Sequence, residues 1–226
     1  MNFEEIKIKL EKLDTSSILD ANLTLNGLIN QINPLIKPIH EKPLKMIGKA
    51  VTVSCSNDFL PVVNALREAS ENDILVVDGK AGNLALAGEI FASEAKRKRL
   101  AGIVIDGAAR DSAGIKTAEI PFYAKSINPR AGTAKKLAEI NIPIYCGGIR
   151  VKPGDIVFGD LDGILVASRE ELAKVIDRAL EIQLKEESVL ERINSGSSLF
   201  DLLNFEEHKN SIKDSQPSTL KFVLPN

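Results

Sequence analysis

Two adjacent side chains, Arg110 and Asp111, close the stretch LAGIVIDGAARD at residues 100–111 and suggest the first chemistry. An arginine offers a rigid planar fork suited to a carboxylate. An aspartate is a hard oxygen ligand suited to Mg²⁺, directly or through water. One residue binding a carboxylated substrate while its neighbour holds a cation is a workable arrangement for polarising a 2-oxo acid. The same pair would also serve as a solvated loop ion pair.

A second group of residues is Gly88-Glu89-Ile90-Phe91, at or near the start of an expected helix. Backbone N–H groups there favour an anion, although a glycine at a helix start also serves close packing. Gly79, Gly82 and Gly88 match neither a dinucleotide GxGxxG loop nor a P-loop, and no GKS or GKT follows. A third feature is Glu186, which falls inside the apolar stripe Leu172, Val175, Ile176, Ala179, Ile182, Val189, Ile193 of a long C-terminal helix. A carboxylate in that stripe is costly unless paired or bound to a cation. Glu187 is nearly as awkward, and a helix standing partly free would leave either one exposed.

The elements that must hold these groups follow from patterning. Met46 to Cys55 alternates and is rich in β-branched residues, and Ile74–Val77 and 101–105 are short apolar runs. Helices over 59–69 and about 87–98 separate them, the βαβ rhythm of a partly parallel sheet. Asp106-Gly107 reads as the turn ending the third strand. The expected elements continue with a short helix or turn to Lys116, a strand at 120–124 and a helical turn at 133–139. Short strands at 149–152, 156–159 and 163–167, separated by PGD and DLDG turns, imply an antiparallel or small-barrel portion packed against the earlier sheet. Ser168 caps a helix over 169–194 that stops at Gly196. The expected organisation is one α/β domain over 1–203, including its N-terminal helices, with 204–226 an extension.

Composition narrows the function classes. The net charge of −2 and dispersed Lys and Arg argue against direct nucleic-acid binding. The densest basic run, AKRKR at 95–99, reads as a solvated helix face. Cys55 and Cys146 are too few and too far apart for a thiolate zinc site or a disulfide scaffold, so buried free thiols are expected. His40 and His208 stand far apart in unremarkable surroundings, which disfavours a histidine triad. No window approaches ~18 continuous apolar residues, and MNFEEIKIKLEKL lacks the apolar core of a signal peptide. A cytoplasmic protein without membrane contact is the expectation. No glycine-rich cofactor loop with a downstream acidic partner supports a methyltransferase.

GNLALAGEIFASEAKRKRLAGIVIDGAARD, followed by IPFYAKSINPR, CGGIRVKPGDIVFGDLDGILV and EESVLERINSG, resembles the family shared by regulator of ribonuclease activity A and 4-hydroxy-4-methyl-2-oxoglutarate aldolase, once mislabelled as demethylmenaquinone methyltransferase. The likeness spans about residues 12 to 203. It implies a swivelling β/β/α-type α/β fold with a mixed sheet, short antiparallel strands and a long C-terminal helix. It also implies a homotrimer or dimer of trimers with sites between subunits. By resemblance, Arg110 binds the carboxylate and 2-oxo oxygen of a small 2-oxo acid and stabilises the pyruvate enolate, and Asp111 anchors Mg²⁺ or Mn²⁺. Gly88, Glu89, Ile90 and Phe91 supply the carboxylate cradle, with Glu89 as a further catalytic group. Glu186, or alternatively Glu187, of the adjacent subunit completes the metal surroundings. The chain carries Glu89-Ile90 where the aldolases commonly have Asp-Leu. The implied activity is metal-dependent cleavage of 4-hydroxy-2-oxo acids to pyruvate, with oxaloacetate decarboxylation by the same enolate. The alternative is a non-catalytic trimer that binds a ribonuclease or another protein.

Overall fold

The computed structural model describes residues 1–223, so the last three residues of the expected 204–226 extension lie outside the described residues. The chain divides into two compact units, Met1–Ala179 and Leu180–Asn226.

The first unit opens with α1 (Phe3–Leu10) and α2 (Thr15–Thr24), the latter capped by Asp14, which accepts the Ser17 N–H. The strands in chain order are β1 (Asn30–Gln31), β2 (Lys37–Pro38), β3 (Met46–Ser54), β4 (Asp73–Asp78), β5 (Ala85–Ala87), β6 (Gly102–Ala109) and β7 (Phe122–Ile127). They are followed by β8 (Ile144–Cys146), β9 (Ile149–Val151), β10 (Ile156–Gly159) and β11 (Ile164–Ala167). One mixed sheet runs β1-β11-β10-β3-β4-β6-β7-β2, with β5 added on β6. Its centre, β3-β4-β6-β7, is parallel, as is the added β5 on β6, and the pairings of β1, β11, β10 and β2 are antiparallel.

Being covered on both faces, the central strands carry apolar stretches such as residues 74–77 and 103–105. Val51, Val53, Leu75, Val77, Ile103 and Ile105 point to one side. There they meet α3 (Leu60–Glu68), α4 (Glu89–Arg97) and α5 (Ser112–Thr117). Ala50, Ile74, Val76 and Val104 point to the other side and meet the β8–β9 hairpin through Ile144, Cys146 and Val151. This is an α/β fold with a mixed sheet, short antiparallel strands and a long C-terminal helix.

Several expectations are corrected. Asp106-Gly107 is not a turn: β6 runs on to Ala109, and its register against β7 shifts between Ile105 and Ala108. The Asp106 carboxylate accepts the Gly147 N–H and pairs with Lys125, which holds it within the strand. Residues 133–139 are not helical, because the Thr133 hydroxyl and the Lys135 N–H both bond the carboxylate of Asp58. The fourth helix begins at Glu89 rather than 87, the preceding residues being a strand. β10 and β11 extend the main sheet, whereas the β8–β9 hairpin packs across it. His40 is not in unremarkable surroundings: it is buried, and its Nδ1 accepts the Phe122 N–H.

The basic run 95–99 has structural work as well as exposure. Lys98 donates to the carbonyls of Leu66 and Arg67, satisfying the end of α3, and Arg97 pairs with Glu94. The DLDG turn is anchored by Asp160. Its carboxylate accepts the Thr15 N–H and hydroxyl and the Asp162 N–H, and its carbonyl accepts the Tyr123 hydroxyl.

The long helix α6 spans Arg169–Asn194, as its pattern predicts. Within the first unit Leu172, Val175, Ile176 and Ala179 are buried. In the second unit Val189 is buried while Ile182 and Ile193 are only half-buried. Gly196 adopts φ +100 and ends the helix. A 3₁₀ turn (Leu199–Leu202) and α7 (Phe205–Lys213) follow. Phe200 and Phe205 meet edge-on at 5.7 Å, and Leu203 bridges to Phe222.

Candidate active site

The site is built where β5 joins β6. β5 is only three residues long, yet it fixes the geometry, because the Arg110 N–H donates to the Ala87 carbonyl at 3.0 Å. The last residues of β6 are thereby laid beside the start of α4. Gly88 is the N-cap of that helix and contributes no side chain, so no cap bond occupies the first amides of the helix, those of Glu89, Ile90 and Phe91. These N–H groups and the helix dipole make this end attractive to an anion.

Asp111 follows in the left-handed region, φ 57 and ψ 43, which is costly for a residue with a Cβ and is best tolerated by Asp and Asn. The reversal turns its carboxylate back toward Gly88 and starts α5, whose Ile115 N–H bonds the Asp111 carbonyl. Arg110 Nε lies 3.3 Å from Asp111 Oδ2, and both side chains are about two-fifths exposed, each at 41%. This pair is open to solvent on one side and so remains available to a ligand.

Gly88, Ile90, Phe91, Arg110 and Asp111 line one cavity of about 50 Å³. At ~10–15 Å³ per water-sized group this is room for roughly four such groups. Ala85, Leu86 and Ala87 of β5 complete the floor, and Phe59 and Ala131 form a further wall. The rings of Phe59 and Phe91 meet edge to face, with centroids 6.2 Å apart. The walls are apolar except at the Arg-Asp corner, so an occupant would be gripped at a charged end.

Glu89 contributes its backbone to this end of α4, but its carboxyl lies over Gly114 of α5, where any Cβ would overlap it. Glu186 and Glu187 belong to the second unit. Glu186 is half-buried, whereas Glu187 is exposed and accepts a hydrogen bond from Gln183 at 3.2 Å. Among the described residues of one chain, no group of three or more His, Cys, Asp and Glu side chains could hold a metal ion. Burial first, then the nearby Asp78 and Asp58 carboxylates, push the Cys55 thiol up to about 12, which disfavours its thiolate at neutral pH. Burial likewise pushes the Cys146 thiol upward. Among the described residues no helix is long and apolar enough to cross a membrane.

Phe59, Ala131 and the strand β5 were not legible as parts of the site. Asn57-Asp58 reads from sequence as the lead-in to a helix. That it also meets Thr133, 75 residues away from Asp58, has no local signal.

With that geometry in view, comparison with known proteins is decisive for family. Residues 15–166 match the profile of the RraA-like family, described as Aldolase/RraA. The chain belongs to the RraA-like family. It is 39% identical over 202 residues to an uncharacterized protein of Methanocaldococcus jannaschii, covering 87% of this chain and 93% of that one. It is 35% identical over 178 residues to a Halalkalibacterium halodurans protein with the provisional name 4-hydroxy-4-methyl-2-oxoglutarate aldolase, covering 78% of this chain and 82% of the other. A solved structure of the RNA-processing inhibitor RraA from Thermus thermophilis superposes with a TM-score of 0.60 at 25% identity, covering 66% of this chain and 90% of that one. The RraA-like family thus contains both a name for a lyase and a name for an inhibitor.

Proposed function

We propose that this RraA-like protein is a divalent-metal-dependent pyruvate aldolase that cleaves 4-hydroxy-2-oxo acids, and that it also decarboxylates oxaloacetate. The observation that carries the reading is the convergence of Arg110, Asp111 and the first turn of α4 on one cavity. In this reading Arg110 grips the carboxylate and the 2-oxo oxygen of the substrate, and the amides of Ile90 and Phe91 orient the carboxylate. A carboxylate takes the proton of the C4 hydroxyl. The C3–C4 bond then breaks, its electron pair passes into the pyruvate enolate, and C3 is protonated. The Arg110 guanidinium faces the developing enolate oxygen, where a fixed charge in a confined site is most effective.

A single half-exposed carboxylate at the mouth of the cavity fits a hydrated Mg²⁺ or Mn²⁺, ions that keep several waters and need only one or two carboxylates from protein. Asp111 would hold it, with Glu186 or Glu187 of a neighbouring copy in a trimer or dimer of trimers. When bound, the ion supplies Lewis-acid polarisation of the 2-oxo group. The two buried free thiols suit a reducing compartment, and the reading includes the cytoplasm as the place of work.

The name of the Thermus relative favours a second reading, a non-catalytic trimer that inhibits an RNA-processing enzyme by binding it. A coupled pyruvate-release assay on 4-hydroxy-4-methyl-2-oxoglutarate and on oxaloacetate, with and without chelator, separates the two. The aldolase reading expects turnover that chelator abolishes, Mg²⁺ or Mn²⁺ restores and Arg110→Ala removes. Absence of pyruvate from both substrates in the presence of either ion would end it.

A further inference from the structure

Three largely irregular segments meet beside the cavity: residues 57–59 ahead of α3, 82–85 running into the first residue of β5, and 130–135 after β7. Each contributes one lining residue, respectively Phe59, Ala85 and Ala131. Irregular segments of this kind are normally the mobile part of a site. Here they are stitched through two neighbouring side chains.

Asn57, at φ 53, turns its Oδ1 to accept the Leu84 N–H at 2.9 Å, and its carbonyl accepts the Thr133 N–H at 2.8 Å. Asp58, 4% exposed, accepts the Leu60 N–H with one carboxylate oxygen. With the other it accepts the Thr133 hydroxyl at 2.6 Å and the Lys135 N–H at 2.9 Å. Burial pushes the Asp58 carboxyl up, but these bonds and one from the Lys136 backbone outweigh it and hold it below the ordinary carboxylate value. The Phe59 N–H donates to the Thr133 carbonyl, and Ala85 exchanges backbone bonds with Arg130 and Gly132. Close approach is built in: a Cβ on Gly132 would lie 2.7 Å from the Asn57 carbonyl oxygen, and one on Gly82 would lie 2.8 Å from Asn57 Oδ1.

We propose that Asn57 and Asp58 are a positioning pair that sets the width of the cavity for a small carboxylated ligand by locking the 82–85 and 130–135 segments to the start of α3. The pair touches no ligand; it acts through Phe59, Ala85 and Ala131. That the occupant is a carboxylated acid rests on the function proposed above, whereas the coupling of the three segments does not.

The test uses the full chain with Mg²⁺ and three variants. Thr133→Val removes one bond to Asp58 at nearly constant volume. Asp58→Asn places an amide N–H₂ against the donors of Thr133 and Lys135. Thr133→Ser restores the hydroxyl. Three readouts are taken well below each melting temperature: amide exchange at Leu84, Ala85 and Gly132, the pyruvate Kd from ligand-observed NMR, and kcat and KM for pyruvate release. Faster exchange at Leu84 and Ala85 is expected in Thr133→Val and Asp58→Asn, although neither amide bonds the altered groups. The pyruvate Kd and KM should rise about tenfold, the scale of one lost hydrogen bond passed to a ligand, while kcat changes little and Thr133→Ser restores all three. Unchanged exchange at Leu84 and Ala85 in both variants overturns the coupling. Fast exchange with unchanged Kd and KM overturns the width-setting role, whatever happens to the melting temperature. If the unaltered protein neither binds pyruvate nor releases it, the proposed function falls, and the exchange data still decide whether the pair locks the segments.

Discussion

A Cβ on Gly88 would lie 2.5 Å from Asp111 Oδ2 and 3.0 Å from Arg110 Cγ, so the residue opening α4 and the carboxylate opening α5 share one small space. Gly88→Ala must therefore push both functional side chains off position. With displacements approaching 1 Å, pyruvate release should fall about 100-fold. The Gly88 φ of −160 is open to alanine, so folding should survive. Activity and thermal unfolding measured side by side check this, and a variant with full activity would show that the Arg-Asp corner has slack.

Asp111 holds a left-handed turn and, in the proposed function, the metal ion, and one substitution can separate the two. Asn tolerates the left-handed conformation, so Asp111→Asn should fold with a melting temperature close to the parent's. It loses the anionic oxygen, so Mn²⁺ binding followed by electron paramagnetic resonance should weaken, and metal-dependent pyruvate release should drop at least about 100-fold. Equal Mn²⁺ affinity in parent and variant would remove Asp111 from the metal site.

Asp160, the first aspartate of DLDG, works as an anchor rather than a catalyst. Its carboxylate receives Thr15 and Asp162 and so ties α2 to the β10–β11 turn. Asp160→Ala leaves those donors without their acceptor and should cost about 2–3 kcal/mol in urea unfolding. The Arg-Asp corner keeps its own contacts, so kcat of the folded fraction should be unchanged.

His40 gives the protein an acid-sensitive seam. Burial lowers its pKa below the ordinary value, and the Phe122 N–H donated to Nδ1 favours the same neutral form. Its Nδ1 accepts a backbone N–H, and among the described residues Nε2 has no hydrogen-bond partner. The unfolded chain binds this proton more readily, so stability is complete above pH ~6.5 and declines as pH falls below it. His40→Gln, whose amide oxygen can accept the Phe122 N–H, should flatten the melting-temperature profile between about pH 5 and 7. A profile unchanged by the substitution would assign the slope to other groups.

Much of this architecture was legible in the chain because the informative residues act locally. The long helix over 169–194 is written in its apolar spacing and its terminal glycine, and β3, β4 and α3 in their runs of Val, Ile and Leu. The Arg110-Asp111 pair and the 88–91 cradle were also readable as candidates, since both combine chemistry with an element boundary. What escaped was decided by distant partners. Asp106-Gly107 has the composition of a turn, yet Gly147 and Lys125 keep it inside a strand. Residues 133–139 carry helix-forming Ala, Lys and Leu, yet Asp58 draws their first amides away. β5 is too short to announce itself, and only its pairing with β6 makes it a strand. His40 looked ordinary because nothing in its neighbours reveals burial.

The sealed state of Cys55 and Cys146 has a practical corollary. Alkylating reagents need an accessible thiolate, so in the native protein both sulfurs should stay silent toward maleimides. A cysteine engineered at an exposed position such as Leu137 or Tyr145 would then be the sole labelling point. Fluorophores or spin probes could be attached there without first mutating the natural pair and disturbing the packing around it.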